Sequence, residues 1–246
     1  MVNIPLEASM PFCKLALTLC VLVLVPPCLG QTRIIPHLTD WESDYRTWII
    51  LENLSNERVG FALRSFDMSG KELPSRLDSL DPNETQIWDQ GFTGTEFTSH
   101  FLIGNDEYPS DSIRVTIAYG RQDETGTSAY FGETTTQATR WRLFSGNWNV
   151  AFDAIAAVNL GNETGSITIR QMGLDGSVIK EHVINEQVSP MEKVLYVIGG
   201  SGDSIFDPNA SNIFEIEATQ PISLIALQGD QQSTLLWTNT VSTFND

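Results

Sequence analysis

Beyond residue 30 the sequence has no cysteine, because Cys13, Cys20 and Cys28 all lie in the first thirty residues. Residues 31–246 are thereby denied a disulfide, a thiolate metal site and a cysteine nucleophile. Positive charge is scarce as well: 14 Lys and Arg stand against 31 Asp and Glu, for a formal net charge of −17. That balance offers no footprint for a phosphate backbone or an anionic lipid surface, so nucleic acid is excluded as an expected partner. Histidine is limited to His37, His100 and His182, without metal-ligand spacing, and each reads as an exposed strand or loop residue. After residue 30 no window of a dozen residues carries apolar side chains at helical spacing, and no run is long enough to span a bilayer as a helix. What is present is ordinary globular material, 41% hydrophobic residues with a mean hydropathy of −0.10.

The cysteines belong to a segment with its own logic. Leu15 to Leu29 is apolar, follows Lys14, and is stopped by Pro26-Pro27 before Cys28-Leu29-Gly30. A short basic start, an apolar stretch of about a dozen residues and small residues at the end read as a secretory signal over residues 1–30. Met10 offers a second start that leaves Glu7 outside the signal. Neither Cys20 nor Cys28 follows the small residue that lipid anchoring normally requires. Glu7 and Lys14 cancel, so the exported chain keeps the whole negative charge.

The remainder repeats. Asn53 to Lys71 matches Asn159 to Ser177 without gaps at a shift of 106. Asn53-Leu54-x-Asn56-Glu57 recurs as Asn159-Leu160-x-Asn162-Glu163, Arg64 as Arg170, and Ser69-Gly70 as Asp175-Gly176. After two extra residues in the second copy, Leu80-x-Pro82-x-Glu84 matches Val188-x-Pro190-x-Glu192, and Ile87-Trp88 matches Leu195-Tyr196. A closing match aligns Ala129–Glu133 with Ala226–Asp230. Two copies divide the chain into units at 33–138 and 143–244.

Each copy alternates short apolar runs with turn residues. In the second copy the runs are Ala154–Asn159, Ser166–Met172, Val178–Val183, Lys193–Ile198, Ile213–Ala218 and Ile222–Gln228. Ser166-Ile167-Thr168-Ile169-Arg170 and Phe214-Glu215-Ile216-Glu217 alternate as strands do when one face is buried. Ser69-Gly70 and Asp175-Gly176 stand where hairpin turns need glycine at positive φ. The expected fold is all-β: two tandem antiparallel β-sandwich domains of immunoglobulin-like type, arising from an internal duplication.

Ile35-Pro36-His37, the strand Trp48-Ile49-Ile50-Leu51-Glu52-Asn53, the Ser69-Gly70 turn and the closing Pro221-Ile222-x-x-x-Ala226-Leu227 carry a resemblance. The chain resembles the tandem β-sandwich repeats of secreted, uncharacterised bacterial proteins. This resemblance implies an extracellular or surface sandwich and no particular activity. The second copy lacks the Pro-His opening.

No catalytic constellation is legible. Gly199-Gly200-Ser201-Gly202 lacks the spacing and the following helix of a nucleophile elbow and reads as a turn. Both copies carry an acidic loop, at residues 104–111 and 202–209, and Asp203, Asp207 and Asn209 form the better calcium candidate, against an ordinary Asp- and Asn-rich turn. Of the six tryptophans, Trp48 and Trp88 fall at core-type strand positions. Trp141 and Trp148 flank the junction of the copies, where they either pack the two domains together or stack on a glycan. Sequons at Asn53, Asn83, Asn162 and Asn209 are near what chance supplies. The expected function is a non-enzymatic exported module, extracellular, at the cell surface or in the periplasm, structural or adhesive, with a protein or surface glycan partner; a carbohydrate-binding or carbohydrate-processing sandwich is the alternative.

Overall fold

Strand after strand pairs with an antiparallel neighbour, and among the described residues there is no helix. The computed structural model describes residues 32–39, 45–89, 97–105, 107–108, 110–121, 129–200, 204–230, 236–239 and 241–244. The first half contains β1 (Arg33–Ile35), β2 (Tyr45–Asn53), β3 (Val59–Phe66), β4 (Arg76–Leu80), β5 (Thr85–Asp89), β6 (His100–Ile103), β7 (Ile113–Arg121) and β8 (Ala129–Gly132). The second contains β9 (Ala138–Phe144), β10 (Ala151–Asn159), β11 (Gly165–Met172), β12 (Val178–Val188), β13 (Lys193–Gly199), β14 (Ile213–Asp230), β15 (Leu236–Asn239) and β16 (Val241–Thr243).

The first half forms two open four-stranded sheets, β1-β6-β3-β4 and β5-β2-β7-β8. Alternation decides which side chains face inward: on β2, Thr47, Ile49 and Leu51 are buried while Trp48 and Ile50 between them are partly exposed. Inward residues from both sheets, among them Phe61, Leu63, Phe101, Val115 and Ile117, make the first core. Trp48 therefore lies on the outer face, with the Arg46 guanidinium over its ring at 5.3 Å, rather than in the core where its strand position suggested. Trp88 is half-buried and packs on Phe61 at 5.7 Å.

In the second half one eight-stranded hydrogen-bonded network replaces two separate sheets, because β14 serves both layers. Residues 213–218 of β14 pair with β11, and residues 222–230 pair with β10. The runs read from the sequence as two strands are thus one strand of 18 residues, and the ladder with β9 shifts register between Glu217 and Ile222, next to Pro221. The order on the first segment is β9-β14-β11-β12, and on the second β13-β10-β14-β15. Trp141, Ile155, Ile167, Ile169, Phe214 and Ile222 belong to the core these layers enclose. Residues 31–246 form one contact-dense unit.

Asn53 and Asn159, matched in the sequence, end β2 and β10 and are buried. Asn53 Nδ2 donates to Glu57 O and Asp81 O at 2.7 and 2.9 Å, while its Oδ1 accepts from Ser55 N. Asn159 Nδ2 donates to Glu163 O and Val188 O, both at 2.9 Å, and its Oδ1 accepts from Gly161 N. Gly70 and Gly176 take φ of 83° and 82° in the two expected turns. The closing match of the repeat does not hold in register. Ala129–Glu133 includes edge strand β8, whereas Ala226–Asp230 lies on the central strand β14. Asn53 pairs with Ile113 on β7, and Asn159 with Ile222 on the second segment of β14.

Candidate functional site

Sheets that meet water normally turn a polar face outward. The sheet containing β10 and β13 does not. On β10 the outward residues include Phe152, Ala154 and Ala156; on β13 they are Leu195 and Val197, and on β14 Ile225 and Leu227. Ala156, Ile225 and Leu227 are covered by the first half and join its core. Beside them the apolar face continues into a cleft of about 290 Å³, with Phe152, Ala154, Leu195, Val197 and Leu227 among its walls and His37, Thr39 and Tyr45 contributed by the first half. Leu195 and Val197 are 48% and 63% exposed.

Polar groups tie the halves together beside this cleft. Lys193, at the start of β13, is buried, and its Nζ donates to Ser99 O at 2.7 Å, lies 3.4 Å from Leu38 O, and stands 3.3 Å from His37 Nδ1. Its backbone N–H donates to Met68 O at 3.0 Å. Tyr119 Oη donates to His37 O at 3.0 Å. His100 shares a 2.7 Å hydrogen bond with the Ser99 hydroxyl and stacks on Phe66 at 5.3 Å. Burial, and then the positive charge of Lys193, hold His37 well below the ordinary histidine range. The same two causes bring His100 down to about 3, against smaller opposing effects of Asp67 and the Met191 backbone. His37 and His100 are therefore neutral interior residues, which corrects the expectation that they are exposed; His182 is only partly exposed and faces Tyr196 at 5.5 Å.

The residues singled out from sequence do not gather into a site. Asp203 lies outside the described residues. Asp207 Oδ1 accepts the Asn209 amide at 2.8 Å, and its backbone is held by the Gln171 side chain. Among the described residues no three His, Cys, Asp or Glu side chains are placed to share a metal ion. Trp141 and Trp148, expected between the halves or against a glycan, are 2% and 6% exposed and pack in the second core. Trp148 Nε1 donates to Asp153 Oδ2 at 2.8 Å, and its ring lies so close to Gly199 that a Cβ there would sit 2.3 Å from it. A stacking ligand has no access to either ring.

A second concavity, shallow and about 700 Å³, opens along β4 and β5. Arg76, Asp78, Trp88 and Asp89 line it, with the Arg76 guanidinium 5.8 Å from the Trp88 ring. Trp88 could be found in the sequence but not its neighbours, since Arg76 and Asp78 come from another strand. Lys193 gave no signal, being one lysine at the head of an apolar run. Among the described residues no helix is long and apolar enough to cross a membrane. The chain matches no protein-family model, no curated protein and no solved structure.

Proposed function

We propose that the protein is a non-enzymatic, exported contact module of structural or adhesive type, in which two tandem immunoglobulin-like sandwiches present the apolar cleft between them to a partner. Duplication is supported by strand order, β1-β6-β3-β4 and β5-β2-β7-β8 against β9-β14-β11-β12 and β13-β10-β14-β15. The signal over residues 1–30 and the boundaries 33–138 and 143–244 belong to the same reading. The observation that carries the function is the outward apolar face of β10 and β13, with Val197 at 63% exposure. Exposed apolar surface of this kind marks contact sites when it is continuous rather than scattered.

The test is cell fractionation of the native protein beside Val197→Lys, which places a charge in the cleft without touching either core. Retention in the surface fraction, reduced by Val197→Lys, is expected. Recovery of the native protein wholly as a partnerless monomer in the medium refutes a surface role.

The groove at Trp88 favours a second reading, carbohydrate binding. An aromatic face flanked by a guanidinium and two carboxylates supplies stacking and hydrogen-bonding groups for a sugar ring. Glycan arrays with the intact protein and with Trp88→Ala decide it: a signal lost in the variant supports the reading, and silence across sugars removes it.

A further inference from the structure

Strand edges are liabilities, and proteins guard them with charge, brevity or cover. β12 carries Lys180, Glu181, Glu186 and His182, and β4 carries Arg76 and Asp78. β5 ends in Asp89, ion-paired with Arg46, and β8 is four residues long and lies against β15. β13 has none of these devices beyond its first residue, and its one irregularity is a register shift against β10 between Val197 and Gly199, past Leu195. Val194-Leu195-Tyr196-Val197-Ile198 is an uninterrupted apolar run on the last strand of the order β12-β11-β14-β10-β13.

Backbone direction on β13 follows from its ladder. Glu192 O accepts from Asn159 N, so residues of that parity face β10; Lys193 N–H, of the other parity, points away and is taken by Met68 O at 3.0 Å. Leu195 and Val197 share the parity of Lys193 and turn their N–H and C=O groups to the same open side. Their side chains line the apolar cleft. The first half thus begins a line of hydrogen bonds along this edge, and the two residues that would continue it have no partner among the described residues.

We infer that the edge of β13 receives an extended segment of another polypeptide, added as a strand beside Leu195 and Val197, with alternate apolar side chains in the cleft. The inference rests on reading the cleft as the contact site and names the partner's chemistry. A strand fits both halves of the surface at once, giving backbone hydrogen bonds at the edge and side chains at a two-residue period to the apolar wall. Charge sets the remaining preference. A chain of net charge −17 repels its own copy and attracts a segment whose solvent-facing positions are basic.

The probe is a fluorescent seven-residue peptide of alternating lysine and valine, followed by anisotropy and by amide hydrogen exchange on the protein. Saturable binding is expected, with new protection of the Leu195 and Val197 amides. Because all valine amides lie on one edge of the extended peptide and all lysine amides on the other, N-methylating one set is expected to weaken binding by about tenfold or more while the other set is tolerated. Leu195→Pro removes an edge N–H without removing a bond to β10 and is expected to weaken binding equally. Equal binding of both methylated peptides, loss with both, or no peptide binding overturns the inference. So does a dimer of the protein alone with Leu195 and Val197 already protected, which gives the edge to a second copy. If the peptide fails while Val197→Lys still releases the protein from the surface fraction, only the strand is refuted; failure of both removes the contact site as well.

Discussion

Acid should loosen the junction between the halves before it reaches the carboxylates. His100 has a pKa of about 3 in the folded chain and about 6.5 unfolded. Between these values the unfolded state binds the proton and the folded state does not, so stability falls as pH falls, starting near 6.5 and levelling off below about 3. Integrating that difference gives a loss from His100 of about 2 kcal/mol on going from about pH 7.5 to about pH 5, and less than about 0.1 kcal/mol at the upper end. His37, depressed in the same direction, adds to it. Asp67, Glu72 and Asp175 are shifted down from ordinary carboxylate values and remain ionised across this window. Urea unfolding at the two pH values measures the loss. His100→Phe keeps a ring against Phe66 but cannot titrate, and should recover about 2 kcal/mol of it. Lys193→Met should cost about 1 kcal/mol near neutral pH, because Ser99 O loses the charged one of its two donors and keeps the Leu38 N–H at 2.8 Å, yet shrink the acid loss by removing the charge that, after burial, depresses both histidines. An acid loss identical in parent and His100→Phe refutes the reasoning.

Gly199→Ala drives a methyl into the Trp148 ring and should destabilise by about 1–3 kcal/mol, read as a lower urea midpoint with altered tryptophan emission. Asn159→Ala removes a buried side chain bonded to Glu163 O, Val188 O and Gly161 N, and should cost about 2–4 kcal/mol in the same assay. Expressed in a glycosylating host, the protein should carry glycan at the exposed sequons Asn83, Asn162 or Asn209 and never at Asn53, whose amide is buried and bonded; peptide mass spectrometry checks this.

What could be read in the sequence was whatever lies on one strand or one turn. Alternation announced β11, and Ser69-Gly70 and Asp175-Gly176 announced their turns, because a side chain's facing depends on its neighbours two residues away. The recurrence of Asn53 as Asn159 was visible for the same reason. The groups that distinguish the candidate site are joined across the chain: Lys193 meets Ser99 at a separation of 94 residues and His37 at 156. No local pattern marks such a meeting. Trp148 misled in the opposite way, since its position at the junction of the copies says nothing of the aspartate that receives its N–H inside the second core. The outward apolar residues of β13 were legible as a strand, but which of its faces would go uncovered depends on where the first half packs.

β14 also bears on the order in which the chain can fold. Four strands, β9, β10, β11 and β15, pair with it, and three of them precede it in synthesis. Until Ile213–Asp230 has emerged, β9 lacks its ladder in that layer and β10 and β11 have no strand joining them. Ile225 and Leu227 on the same strand also complete the first core. Closure of both cores therefore waits on a segment that follows most of its partners and whose contacts are distant in sequence, which predicts slow folding and a nascent chain that stays open until residue 230 is available.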